Sequence, residues 1–88
     1  MRGLSTNDAE VLAISALTET ISDERRARRF LDLSGIDTDE LRVRAGERAL
    51  LAAVLRFLEN YEPDLVDVAT ALDVKPEQLV AAREALEA

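Results

Sequence analysis

The residues best able to do chemistry are arginines, clustered in the stretch ERRARRF at residues 24–30. On a helix, Arg25, Arg28 and Arg29 lie opposite the apolar face that contains Phe30. Guanidinium groups bind phosphates and carboxylates through paired, charge-assisted hydrogen bonds. This face is therefore a candidate patch for an anion, a nucleic acid or an acidic partner.

A solvated helix surface explains the same arginines without any ligand. Glu24 and Arg28, and then Arg28 and Asp32, stand at the i,i+4 spacing at which opposite charges stabilise a helix. Only Arg25 is left without a local acidic partner. No aromatic residue is interleaved to stack on a base, because Phe30 is expected to face inward. Anion binding by this face is therefore the alternative hypothesis.

A second feature with a possible role in nucleic-acid binding is the closing stretch VATALDVKPEQLVAAREAL, residues 68–86. Its two helical patterns meet at LDVKPEQL with the spacing of a helix-turn-helix. From Lys75 to Ala88, however, three acidic residues outnumber two basic ones. Duplex DNA is held largely by neutralising phosphates, which an acidic helix would repel. We interpret the corner as a way of packing two helices, and nucleic-acid binding is disfavoured.

The sequence offers no catalytic or metal-binding constellation. It contains no Cys and no His, which removes thiolate nucleophiles, imidazole acid–base chemistry and ordinary zinc sites. The acidic run DTDE at 37–40 lacks the loop length and mid-loop glycine of a calcium-binding EF-hand. Helix capping by Asp37 and Glu40 explains it instead. We predict no catalytic residue, no metal and no cofactor, and hence a protein that is not an enzyme.

The elements that must position these residues are predicted to be helices. The chain of 88 residues is 48% hydrophobic and 33% charged, with 3% aromatic residues, which favours an all-α domain with an aliphatic core. We predict one domain over residues 1–88, frayed at 1–5, forming a compact bundle of five or six short helices. The predicted landmarks are a first helix from a cap at Ser5, Thr6 or Asn7 to Ile21, a second from Ser22 to Gly35, a third from Asp37 to Gly46, a fourth over 48–61, and two more opening at Pro63 and Pro76 in a helix-turn-helix-like corner.

The fourth helix carries the widest apolar stripe and is predicted to be central to the core. The first helix is apolar on two sides. Its inward side is predicted to hold Val11, Ile14, Leu17 and Ile21, with Leu12 on the other side. Either both sides are buried or the second side meets a partner. The candidate partner surface is formed by Leu12 and Ala16, together with Val66 and Val80.

Charge and hydropathy indicate where in the cell we expect the protein to be. The net charge is −7, and residues 49–88 hold eight acidic and three basic groups. The sequence contains no apolar run long enough for a signal peptide or a membrane span. We expect a cytoplasmic protein with no membrane association.

Four stretches resemble a known family: AEVLAISAL, RFLDLSGIDTDELRVRAG, LLAAVLRFLENYEPDL and ALDVKPEQLVAAREAL. Over residues 6–87 the chain resembles a domain-of-unknown-function family of short, uncharacterised alphaproteobacterial helical proteins. The matching positions are caps, turns and core residues, so the resemblance implies a helical fold. It implies no catalytic or ligand-binding residues. The family usually has an acidic or small residue before the final proline, where this chain has Lys75.

Together these observations predict a small acidic interaction module that binds an unidentified protein or a second copy of itself. The alternative is nucleic-acid or anion binding through Arg25, Arg28 and Arg29 or through the closing helix pair.

Overall fold

Six α-helices form within residues 5–88, the range that the computed structural model describes. This confirms an all-α bundle. The helices are α1 (Thr6–Ser22), α2 (Glu24–Ser34), α3 (Thr38–Arg44), α4 (Arg48–Glu59), α5 (Glu62–Ala71) and α6 (Pro76–Glu87). Of the segment predicted to be frayed, residues 1–4 lie outside the described range, and Ser5 caps α1.

Side-chain caps start the first three helices. In each, an oxygen accepts a hydrogen bond from the backbone N–H three residues later, and the capping residues are Ser5, Asp23 and Asp37. Asp23 corrects the prediction of a cap at Ser22. Ser22 is the last residue of α1, and its hydroxyl donates to the carbonyl of Glu19 at 2.7 Å.

Two left-handed residues turn the chain between helices. Gly35 ends α2 with φ of 73°, and Asp73 follows α5 with φ of 57°. Glycine lacks the Cβ that clashes in this conformation, and Asp is one of the few other residues that adopt it. At the second corner Lys75 has no acceptor oxygen to cap α6. Its backbone N–H instead donates to Gln78 Oε1 at 2.8 Å, which fixes the start of that helix.

The core is built around α4, as predicted. Its buried residues are Leu50, Leu51, Ala52, Val54, Leu55, Phe57 and Leu58, and it packs against α1, α5 and α6. The helix ends at Glu59, so Tyr61 is not part of the stripe and is 44% exposed. Because α4 is covered by neighbours on more than one side, its apolar surface is wider than that of a helix with a single buried face.

The face that α1 buries differs from the predicted one. Its buried residues are Ala9, Ala13, Ala16, Leu17 and Thr20, whereas Val11, Ile14 and Ile21 are 59%, 44% and 44% exposed. Of the predicted inward side, only Leu17 is buried. The small residues allow α1 to approach α6 and α4, its most extensive neighbours. The buried Thr20 hydroxyl donates to the carbonyl of Ala16 at 2.7 Å, so it carries no unpaired donor into the core.

Candidate interaction site

One buried carboxylate gathers three arginines of α2. Asp64 lies in the first turn of α5, and its side chain is 1% exposed. Arg29 Nη1 donates to Asp64 Oδ2 at 2.6 Å. Arg25 Nη2 and Arg26 Nη1 lie 3.6 and 4.0 Å from the other oxygen, Oδ1. Three guanidinium groups thus face one carboxylate, and the cluster has an excess of two positive charges.

The cluster compensates the cost of burying Asp64. A buried carboxylate is strongly destabilising without a positive partner and hydrogen bonds. Arg26 is itself only 7% exposed, and its Nη2 donates to the Glu19 carbonyl at 2.9 Å. Within the described residues, Arg26 Nε and Asp64 Oδ1 are buried without a hydrogen-bond partner. One short hydrogen bond, from Arg29, therefore holds Asp64 directly. The other two arginines stabilise it by electrostatic attraction.

The predicted arginine patch is divided by this arrangement. Arg28 is 74% exposed and lies 3.8 Å from Glu24, the predicted i,i+4 pair. Arg29 contacts Asp64, which lies on another helix. Arg25, expected to lack a partner, also approaches Asp64. The three residues thus do not form one free anion-binding face.

A groove between α2 and α4 opens beside the cluster. Its volume is about 450 Å³. Its floor contains the buried rings of Phe30 and Phe57, whose centroids are 5.3 Å apart in an edge-to-face arrangement. Leu33, 75% exposed, lines it as well. We call this cavity the α2–α4 groove; its lining consists of Arg29, Phe30, Leu33, Ser34, Ala53, Arg56, Phe57, Asn60 and Tyr61.

Arg29 is held in place within this groove by two aromatic rings. Its guanidinium carbon lies 5.1 Å from the ring centroid of Phe57 and 4.7 Å from that of Tyr61. Such contacts are attractive because the ring face carries negative electrostatic potential. Together with the bond to Asp64, they fix a side chain that is still 33% exposed.

Arg56, also in the groove lining, belongs to an ion network that joins α4 to α6. Its Nε and Nη2 donate to Glu87 at 2.6 and 2.7 Å. Arg83 binds Glu59 at 2.8 and 3.0 Å and reaches Glu87 at 3.0 Å. The two hydrogen bonds from Arg56, and then the one from Arg83, hold the pKa of the Glu87 carboxyl below its usual value. The same contacts raise the pKa of both arginines, Arg56 mainly through Glu87 and Arg83 mainly through Glu59.

The predicted partner surface is largely taken up by packing. Ala16 is fully buried, and Leu12 is half-buried against the core. Val66 is 42% exposed and Val80 is half-buried. The apolar side chains that α1 does expose are Val11, Ile14 and Ile21. Three of the four residues predicted to face inward are thus exposed, and Leu17 is buried as predicted.

The closing helix pair keeps the acidic character that its sequence indicated. Asp73 and the proline at the start of α6 form the corner, and Glu77 occupies the first turn of α6. Arg83 is committed to Glu59 and Glu87, which leaves Lys75 as the one basic residue of this corner without an ion pair in the described residues. The acidic balance that disfavours phosphate binding thus persists at the surface.

Residues 5–88 contain neither a cluster of metal ligands nor a membrane-spanning helix. No group of three or more Asp or Glu side chains is close enough there to hold a metal ion. No helix in this range is both long and apolar enough to span a bilayer. The α2–α4 groove with its fixed arginine is the candidate site that the described residues support best.

Comparison with known proteins assigns the chain to a family. Residues 6–88 match the family described as protein of unknown function (DUF3572), and the chain belongs to this family. The resemblance to a domain-of-unknown-function family is thereby confirmed, while an alphaproteobacterial origin stays a prediction. No curated protein matches the chain, and no solved structure matches it either.

Proposed function

We propose that the protein is a non-catalytic interaction module that binds a protein partner through the α2–α4 groove. The observation that carries this proposal is the apolar wall of the groove, where the 75% exposed Leu33 adjoins the rings of Phe57 and Tyr61. An exposed leucine beside an aromatic-lined concavity loses unfavourable water contact when a partner covers it.

The residue types in the groove support the proposal. Arg and Tyr are enriched among the residues that dominate binding energy at protein interfaces, and aromatic residues are enriched at interfaces generally. Arg29 and Phe57 are already fixed by mutual packing, and the bond to Asp64 adds to this order. A preformed site costs less conformational entropy to occupy than a flexible one.

Nucleic-acid binding receives less support than protein binding. Two of the three arginines of the predicted patch, Arg25 and Arg29, contact Asp64, and α6 has an acidic surface. Arg28 lies next to Glu24. Phosphate contacts of the number that duplex binding needs would have to come from elsewhere. The non-enzymatic character and the cytoplasmic location of the protein stay predictions.

The test is selection of binders from a random peptide library displayed on phage, with the folded protein as bait. We expect peptides with large apolar residues to be enriched, and Leu33→Glu to weaken their binding at least about tenfold, because it puts a charge into the apolar contact. Val43→Glu is the matched control, since Val43 lies on α3 and is 84% exposed. Circular dichroism would confirm that both variants fold.

Two results would contradict the proposal. One is the absence of any enriched peptide. The other is a set of peptides that bind Leu33→Glu as tightly as the unmodified protein. Amide signals of Leu33, Phe57 and Tyr61 that shift on peptide addition would locate the contact directly.

A further inference from the structure

The α2–α4 groove is positively charged in a strongly acidic protein. The chain carries a net charge of −7, yet the groove lining contains two arginines and no Asp or Glu. The adjacent cluster adds Arg25 and Arg26 to Arg29, and Asp64 is the carboxylate that lies within salt-bridge distance of all three. A ligand entering the groove therefore meets a local field opposite in sign to that of the whole molecule.

Both arginines of the groove keep donors that the protein does not use. Arg29 donates a hydrogen bond from Nη1 to Asp64, and within the described residues its Nε and Nη2 make no hydrogen bond. Arg56 donates hydrogen bonds from Nε and Nη2 to Glu87, and within residues 5–88 its Nη1 makes none. The two side chains are 33% and 59% exposed, so these N–H groups are accessible to a ligand.

From this arrangement we infer that the groove takes a partner segment that carries a carboxylate next to a large apolar side chain, with Arg29 as the anion-binding residue. The inference rests on the function proposed above. The apolar side chain covers Leu33 and Phe57. The carboxylate accepts from the free Nε and Nη2 of Arg29, a planar pair of donors that matches its two oxygens.

Geometry favours Arg29 over Arg56 as the anchor. The rings of Phe57 and Tyr61 and the bond to Asp64 hold the Arg29 guanidinium in place before the ligand arrives. Binding through Arg29 therefore loses little side-chain entropy. Arg56 is more exposed, and within residues 5–88 its ion pair is with Glu87 alone, so it supplies positive charge without the same fixed geometry.

The experiment uses two matched pairs of capped dipeptides in a chemical-shift titration of the isotope-labelled protein. The first pair is acetyl-leucyl-phenylalanine and its C-terminal amide, which isolates a terminal carboxylate. The second is acetyl-aspartyl-phenylalanine amide and its asparaginyl counterpart, which isolates a side-chain carboxylate. We expect the acid of at least one pair to bind about tenfold more tightly than its neutral partner, with shifts at the groove amides.

The protein offers a matched pair of its own. Asn60 lines the groove, whereas Asn7 lies on α1 outside it, and the chain contains no other asparagine. Asn60→Asp should abolish the preference for the acid by adding a like charge to the site. Asn7→Asp, with the same change in net charge, should leave that preference intact. Neither position is buried, so both variants should fold.

Three outcomes would overturn the inference. Equal binding of acid and neutral probes in both pairs would leave an apolar groove without anion recognition, and the proposed interaction function would stand. A preference for the acid that survives Asn60→Asp would place the anion elsewhere. Absence of any shift at the groove amides would refute carboxylate binding there, while the phage selection decides separately whether the groove binds peptides.

Discussion

Arg29 donates a 2.6 Å hydrogen bond to Asp64, a carboxylate that lies 35 residues later and is almost fully buried. This bond connects α2 to the first turn of α5 and also orients the guanidinium in the α2–α4 groove. The same contact thus serves stability and the proposed binding site. Asp64 also lies near Arg25 and Arg26, so its loss would remove the carboxylate that all three arginines share.

Replacing Asp64 by Asn should destabilise the fold severely. The amide has nearly the same shape but no charge, so the buried Arg26 would lose its counter-charge. We expect a loss of about 3 kcal/mol in the free energy of unfolding, measured by urea denaturation. Asp67→Asn, at an exposed position of the same helix, is the control and should change it by less than about 0.5 kcal/mol. Similar losses in both variants would show that Asp64 does not have this role.

Neighbouring substitutions on α1 should separate its packed face from its exposed face. Leu12→Glu places a charge against the core, and we expect it to cost about 2 kcal/mol of unfolding free energy. Val11→Glu puts the same charge at a position that is 59% exposed, and should cost less than about 0.5 kcal/mol. Thermal denaturation of the two variants provides the measurement. The opposite order would mean that α1 is rotated relative to this structure.

Two glycine substitutions should have effects of opposite sign. Gly35 has φ of 73°, where a Cβ is strained although no atom lies within 4 Å of it. Gly35→Ala should therefore destabilise the protein by about 1 kcal/mol. Gly46 has no positive φ and equally open surroundings, so Gly46→Ala should stabilise by about 0.5 kcal/mol by restricting the unfolded chain. Stabilisation by Gly35→Ala in denaturant titrations would contradict the left-handed turn.

Because of the ion network that joins α4 to α6, the free energy of unfolding should decrease at acid pH. Because Arg56 and Arg83 lower the pKa of Glu87 in the folded state, its contribution is fully present above its ordinary value of 4.5. The contribution is lost as the pH falls through the lower folded pKa. Glu87→Gln should thus lower the free energy of unfolding at pH 7 and leave it almost unchanged near pH 2, as measured by denaturant titration. Glu84→Gln, without an ion pair in the described residues, should show no such pH-dependent difference.

Local signals in the sequence predicted the end of the second helix at Gly35, the cap at Asp37 and a bundle of five or six helices, of which six are present in residues 5–88. Gly35, Asp37 and Asp73 act on backbone atoms only a few residues away, so their roles can be inferred from neighbouring residues. The wide stripe of α4 likewise depends only on helical spacing. The cap at Asp23 was assigned one residue too early, a small error because adjacent Ser and Asp are both good caps.

Features that depend on contacts between helices could not be predicted from local signals. Bulky residues suggested the buried face of α1, yet close approach to its neighbours selected the small residues Ala9, Ala13 and Ala16. Their helical spacing was the signal that could have revealed this face. The pairing of Arg29 with Asp64, and hence the fixed geometry of the groove, had no local signal because it depends on how α2 and α5 meet.

The packing of α1 against α6 has a consequence for how the chain is made on the ribosome. Helix α1 finds its most extensive partner only when α6 has been synthesised. Until then α4 can cover only part of its row of small apolar residues, and nascent-chain chaperones can bind the rest. We expect the bundle to close late, in a single step that follows translation of α6.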